Sequence, residues 1–228
     1  MAPVNKKILK FAPILFLAIP FPLKAATLKV LDPTPKAEFE SNRLVSMQDQ
    51  LKSCGDCKVE NITPYDAQGR FDEKQVAEAL MKQSLDGAIL VINWNRGVSS
   101  SDKPLLDHLK KKISDGHVIV AAAGRPVEGS PILPLGKTLW GQLPDSLVIG
   151  ELQEKEKLVA GTYFGPEMLT ALSPRDLNMG EGAGALSFAL KMLPEFDKKK
   201  SAEWVRFLKE KRSKHRRLWP SLKDLFGK

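Results

Sequence analysis

Two uninterrupted apolar runs constrain the fold of this chain more than any other feature of the sequence. They cover residues 88–93 (AILVIN) and 117–123 (HVIVAAA). A strand with one face in water alternates apolar and polar residues, whereas a strand buried on both faces reads as a continuous apolar run. Such strands occur in parallel sheets covered by helices on both sides. We therefore expect both runs to be central strands of a mainly parallel sheet.

Segments with helical periodicity separate these runs from other short strands. The spacing predicts strands at 27–31, 59–63 and 146–150 and helices at 37–53, 72–84, 104–114 and 181–193. Residues 158–162 and 168–172 are expected to form a short hairpin. Strands that alternate with helices predict βαβ units. The predicted fold is α/β, a mainly parallel sheet with right-handed crossovers and helices on both faces.

The first 25 residues have the layout of a secretory signal peptide. Lys6, Lys7 and Lys10 precede an uncharged apolar run at 11–21, and Ala25 supplies a small residue near the expected cleavage point. We predict an exported protein, periplasmic or secreted. The alternative is an uncleaved N-terminal segment that anchors the protein in the membrane.

The only two cysteines, Cys54 and Cys57, form a Cys-Gly-Asp-Cys motif. In an exported protein this motif favours a local disulfide. A redox-active pair remains an alternative, although such pairs usually begin a helix and this one follows a predicted helix. A zinc site would need two further ligands at suitable spacing, so we expect no metal and no cofactor.

The net charge of +8 is concentrated near the two ends of the chain, and the sequence between them is mildly acidic. This asymmetry disfavours a nucleic-acid partner and sets off residues 197–228 as a basic, amphipathic tail after an α/β domain at 27–196. Contact of the tail with an anionic membrane surface is one interpretation. Docking on the acidic domain is the alternative. The residues expected to make the surface contact are Trp204, Arg206, Lys211, Arg212, Arg216, Arg217 and Trp219.

Five segments, in order, resemble the subtilisin-like serine proteases (subtilases). The stretch LKVLDPTP (28–35) resembles the family's first strand, which ends at a catalytic Asp, here Asp32. The next three are 63–97, DGHVIVAAAGRP (115–126) and PDSLVIGEL (144–152). The segment GEGAGALSFALKML (180–193) occupies the place of the helix that carries the nucleophile. The resemblance implies a three-layer sandwich and peptide-bond hydrolysis.

The sequence departs from the family where the chemistry is carried out. Acyl transfer needs a Ser nucleophile, a His base and an Asp that orients the His, with an Asn donating to the oxyanion. Gly182 stands at the nucleophile position, Arg125 at the oxyanion position, and no His follows Asp32 before Tyr65. We therefore expect a vestigial Asp32 and an inactive protein that binds a peptide or a protein partner. Arg125 could donate to a ligand, or pair with a nearby acid such as Glu128.

Two alternatives remain open at this point. A rearranged triad would need Ser187 or Ser173 beside a histidine, and the chain offers His108, His117 and His215. The other alternative is an unrelated flavodoxin-like binding module, which the order of the strands would reveal.

Overall fold

A computed structural model describes residues 26–126, 130–153, 157–173, 179, 182–198, 200–214 and 219–227. Its centre is one six-stranded sheet in which every pairing is parallel. The strands are β1 Thr27–Leu31, β2 Lys58–Asn61, β3 Ala88–Ile92, β4 Val118–Ala122, β5 Leu147–Glu151 and β6 Met168–Leu172. Their order across the sheet is β2-β1-β3-β4-β5-β6.

The helices lie between and after the strands. They are α1 Lys36–Glu38, continued by a π-helical stretch Phe39–Leu44 into α2 Val45–Leu51, then α3 Val76–Met81, α4 Lys103–Ser114, α5 Gly184–Met192, α6 Ser201–Lys214 and α7 Leu222–Phe226. Short 3₁₀ turns lie at Lys52–Cys54, Glu73–Gln75, Ser100–Asp102, Leu135–Lys137, Trp140–Gln142 and Leu193–Lys198. No helix in the described ranges combines the length and the apolar character needed to cross a membrane.

The helices cover both faces of the sheet. One apolar cluster joins α2, α5, α6 and α7 to alternate residues of the strands, for example Val91 and Val120. The other joins α3 and α4 to the residues that point the opposite way, for example Leu90 and Ile119. Every residue of β3 is buried, as the continuous apolar run predicts. The α/β fold class, with a parallel sheet between two helical layers, is confirmed.

Local sequence signals explain where α4 begins and ends. Ser99 and Asp102 form a capping box at the 3₁₀ turn before the helix, and Pro104 lies in its first turn. Proline suits that position because its missing N–H would have no partner inside the helix. The helix stops at Asp115, and Gly116 follows with φ of 97°, a conformation that other residues adopt at a steric cost.

The predicted hairpin at 158–172 is wrong. Only Met168–Leu172 is a strand, and it pairs in parallel with β5. Leu158 forms an isolated antiparallel bridge to Leu152. The segment between β5 and β6 is therefore a crossover connection.

The described residues at 200–214 and 219–227 pack against the rest of the protein and do not form a separate surface tail. Trp204 and Leu208 of α6 and Leu225 of α7 are at most 1% exposed and belong to the same apolar cluster as the sheet. Trp219 is 5% exposed. Because both tryptophans pack inside the protein, the expectation that they contact a membrane surface is corrected.

The basic residues expected at the same surface have different environments. Arg212 donates from Nη1 to the carbonyl oxygens of Met168 and Leu169 and lies over the Trp219 ring. Lys211 lies 5.6 Å from the centre of the Phe207 ring, and Arg206 is exposed. The other two, Arg216 and Arg217, lie outside the described residues.

The predicted disulfide between Cys54 and Cys57 is formed. It follows α2 and precedes β2, and both sulfur-bearing side chains pack against the apolar cluster that contains α2. The bond is consistent with an oxidising environment.

Candidate functional site

A cleft opens at the carboxyl edge of the sheet, where β1 and β3 end. The chain crosses from β1 to β2 on one side and returns to β3 on the other, so the direction of winding reverses between β1 and β3. Open α/β sheets bind their ligands at such a reversal, outside the carboxyl ends of the strands. The cleft encloses about 250 Å³. Asp32, Asn93, Gly124, Glu151 and Gly182 line it from five different segments.

Asp32 is fully buried beside this cleft and its carboxylate is held by three groups of the protein. Oδ1 accepts from the backbone N–H of Thr34 at 2.9 Å, and Oδ2 accepts from Asn93 Nδ2 at 2.8 Å. The guanidinium of Arg43, from the π-helical stretch, lies 3.6 Å from Oδ2. A buried carboxylate is stable only when it is paired and hydrogen-bonded, and these groups meet that need.

Asn93 connects the end of β3 to the segment that leads into α5. Its Nδ2 donates both to Asp32 and to the carbonyl oxygen of Gly182. Gly182 has φ of 73°, and a Cβ built on it would lie 3.3 Å from Arg43 Nη2. A serine at this position would need a left-handed backbone that residues with a side chain rarely adopt.

Glu151, the last residue of β5, occupies the N-terminus of α5. Its Oε2 accepts from the N–H of Gly182 at 2.9 Å, and its Oε1 accepts from the N–H of Gly184 at 2.7 Å. The N-terminal N–H groups of a helix have no partner within the helix and attract negative charge. The protein thus supplies its own anion at the N-terminus of α5.

The floor of the cleft is closely packed and hydrogen-bonded. Gly124 follows β4 with φ of 75°, and a Cβ there would lie only 2.6 Å from the Cβ of Asn95, so the position requires glycine. Asn95 donates to Ala123 O and to Thr138 Oγ1, both bonds being buried. Behind Gly124, burial raises the pKa of the Tyr163 phenol.

Arg125 lies at the rim of the cleft and is exposed. Within the described residues it makes no ion pair or side-chain hydrogen bond. The acid predicted as its alternative partner, Glu128, lies outside those residues. Arg125 is therefore a lining residue of the cleft whose charge the described residues do not pair.

The structure places two of the three candidate histidines, His108 and His117, and neither lies at the cleft. His108 lies within α4, and His117 precedes β4 at the amino edge of the sheet, opposite the cleft. Ser187 lies in α5 and is only 3% exposed. Its hydroxyl has no hydrogen-bond partner among the described residues. Ser173 follows β6, and His215 is outside the described residues. No described histidine lines the cleft.

Sequence reasoning located Asp32, Arg125 and Gly182, and the structure brings all three to one cleft. It missed Arg43, Asn93 and Glu151. Asn93 and Glu151 each end or directly follow a predicted strand, so the rule that sites form at the carboxyl edge would have found them. Arg43 lies within a predicted helix, and no local pattern marks it.

Comparisons with known proteins give fold similarity only. No protein-family model matches the chain, and no curated protein matches it in sequence. Among solved structures, the chain is similar to a cold adapted subtilisin-like serine proteinase, with a TM-score of 0.41 and 14% identity over 75% of this chain and 57% of that one. It is also similar to the prenylagaramide maturation protease PagA, with a TM-score of 0.51 and 11% identity over 80% and 82% of the two chains. The chain thus spans 57% of the length of the first of these proteins.

The fold is consistent with the subtilase-like three-layer sandwich that the sequence predicts. The strand order alone does not separate this fold from the flavodoxin-like alternative, because the order 2-1-3-4-5 of the first five strands is shared with flavodoxin-like sheets. The similarity to a solved protease structure over most of both chains favours the subtilase-like fold.

Proposed function

We propose that this chain is an exported, catalytically inactive subtilase-like protein whose cleft binds a peptide or a segment of a partner protein. One observation carries the proposal: the N–H groups of Gly182 and Gly184, at the start of α5, are bonded to the carboxylate of Glu151. A nucleophile at this position would need an unblocked approach to a substrate carbonyl.

The remaining residues support the loss of catalysis. The role of the Asp in a triad is to orient a histidine and to stabilise its charged form. Here the two oxygens of Asp32 are bonded to Thr34 and Asn93, with Arg43 close by. Removing the serine or the histidine from a working triad lowers kcat by about 10⁶.

A binding role is supported by how the cleft is built. Its buried polar groups are bonded to one another, so it keeps its shape without a ligand. Side chains such as Trp94 and Val159 supply apolar surface in its walls. Sites for whole small molecules commonly enclose about 300–1,000 Å³. The smaller volume of 250 Å³ suits one end or one side chain of a longer ligand.

Export is supported by two features. Residues 1–25 have the charge and apolar pattern of a signal peptide. The Cys54–Cys57 disulfide is typical of proteins that mature in an oxidising compartment. N-terminal sequencing of the protein recovered from the periplasm or the medium should give a chain that begins near Ala26. Recovery of the uncut chain in membranes would favour the anchored alternative.

A fluorophosphonate probe tests the loss of catalysis. We expect no labelling of the full chain under conditions in which an active subtilase is labelled to completion, and no cleavage of a fluorogenic peptide pool. Labelling that disappears in the Ser187→Ala variant would support a rearranged triad and overturn the proposal.

Binding is tested with a pool of fluorescein-labelled short peptides and measurement of fluorescence anisotropy. Val159→Trp should block the cleft, since Val159 is half-buried in its wall. Val45→Trp is the matched control, because Val45 is 48% exposed on α2 and does not line the cleft. We expect the unmodified protein and the Val45→Trp variant to bind peptides equally well. The Val159→Trp variant should not bind them. A pool with no bound peptide, or equal binding by both variants, would refute the binding role.

A further inference from the structure

Four charged side chains line the cleft: Asp32, Arg43, Glu151 and Arg125. The charges of the first three are compensated by other groups of the protein. Asp32 and Arg43 form an ion pair, and Arg43 Nε also donates to Thr34 Oγ1 at 3.1 Å. The negative charge of Glu151 is balanced by the N-terminal N–H groups of α5.

Arg125 is the charged group of the cleft that has no such compensation in the part of the chain that the structure describes. Its side chain is exposed at the rim, directly after the glycine that forms the floor. The charge left to a ligand by the described cleft residues is therefore positive. A guanidinium binds planar anions through paired N–H donors, and this geometry matches a carboxylate.

We propose that the cleft binds the carboxyl-terminal end of a peptide, with Arg125 holding the terminal carboxylate. This inference rests on the peptide-binding function proposed above and specifies its ligand. A volume of 250 Å³ admits the end of a chain more readily than a continuous segment. A singly charged carboxylate also suits the site better than a phosphate dianion, since the one uncompensated guanidinium of the described cleft residues balances a single negative charge.

The test compares two peptide pools of the same sequences, one with free carboxyl termini and one with terminal amides. Binding of each pool to the full chain is measured by fluorescence anisotropy at low and at high salt. The Arg125→Gln variant is compared with Arg206→Gln, which removes an exposed arginine on α6, outside the cleft.

We expect the amide pool to bind the unmodified protein about tenfold more weakly than the acid pool, the effect of roughly one charge-assisted contact. Arg125→Gln should remove this difference, and Arg206→Gln should preserve it. High salt should reduce the difference in affinity between the acid pool and the amide pool, because interactions between exposed charges are screened.

Each other outcome has a distinct meaning. Equal binding of the two pools, or a difference that persists in Arg125→Gln, overturns the carboxylate site and leaves the peptide-binding function standing. Absence of binding by either pool overturns both proposals. Displacement of the acid pool by inorganic phosphate at lower concentration than by acetate would assign the site to phosphate and overturn the carboxylate proposal.

Discussion

Glu151 provides the sharpest test of how the cleft is held together. Its carboxylate accepts two backbone hydrogen bonds, at 2.9 and 2.7 Å, from the residues that lead into α5. The substitution Glu151→Ala removes both acceptors and leaves two N–H groups at the helix N-terminus without a partner from the protein. Glu151→Gln removes the charge, keeps one carbonyl acceptor and replaces the other oxygen by an NH2 group, which donates and cannot accept.

The expected loss of stability follows from the kind and burial of these bonds. A hydrogen bond to a charged group contributes about 1.5–3 kcal/mol, and removal of a helix N-cap costs about 0.5–2 kcal/mol. Glu151 is only half-buried, so water can replace part of what is lost. We expect Glu151→Ala to lower the free energy of unfolding by about 2 kcal/mol, and Glu151→Gln by about half as much.

Urea denaturation followed by circular dichroism measures these differences. The midpoint should fall while the m-value stays constant, since the surface exposed on unfolding hardly changes. Glu78→Ala is the control. Its ion pair with Lys82 lies on the exposed surface of α3, and surface pairs contribute little.

Added sulfate gives a second, independent readout. The vacated N-terminus of α5 in Glu151→Ala is expected to bind the anion, as helix N-termini do. Sulfate should therefore stabilise this variant more than it stabilises Glu78→Ala, which reports the general effect of the salt. If Glu151→Ala were as stable as the control and gained no more from sulfate, the assigned role of Glu151 at the helix terminus would be refuted.

Three further variants, one of them a double substitution, test other features of the structure. Trp204→Ala should lower the free energy of unfolding by about 3–5 kcal/mol, as for other buried tryptophans, and a change as small as that of exposed Arg206→Ala in urea denaturation would contradict the packed C-terminal helices. Burial of His108, together with the charge of Lys112, lowers the pKa of its imidazole. The resulting stabilisation is present above the unfolded-state pKa of about 6.5 and is lost as the pH falls through the lower folded-state pKa. Unfolding midpoints measured from about pH 7 to 5 should therefore fall less in His108→Gln than in the unmodified protein. Identical pH profiles would show that His108 does not contribute to the pH dependence of stability. Replacing both Cys54 and Cys57 by alanine should cost at most about 2 kcal/mol, because the closed loop is short, with peptide binding unchanged in the anisotropy assay; a loss of binding would instead connect the disulfide to the cleft.

The central sheet could be predicted because burial on both faces leaves a direct mark on the sequence. The runs at 88–93 and 117–123 match β3 and β4 to within a residue at each end. The segment after β5 could not be predicted in the same way. Strand β6 is also fully buried, but its five residues give no indication of whether they pair with β5 in parallel or in a hairpin. Only the partner across the sheet determines that.

Residues 197–228 show a different limit of prediction from sequence. Aromatic residues among lysines and arginines have the same pattern whether they meet a membrane or the protein's own sheet. The sequence predicts an amphipathic segment that includes Trp204, but the surface that this segment covers, near β6, cannot be identified from the linear sequence. Glu151 is a similar case, because its importance depends on two glycines more than thirty residues away.

The position of α6 and α7 in the chain also has a consequence for biosynthesis. Both are made after all six strands, yet they cover part of the apolar face that those strands present. A nascent chain that ends short of residue 201 therefore carries a finished sheet with unshielded apolar surface, the condition under which partly folded proteins associate. Burial of this apolar face is therefore complete only after α6 and α7 have been synthesised.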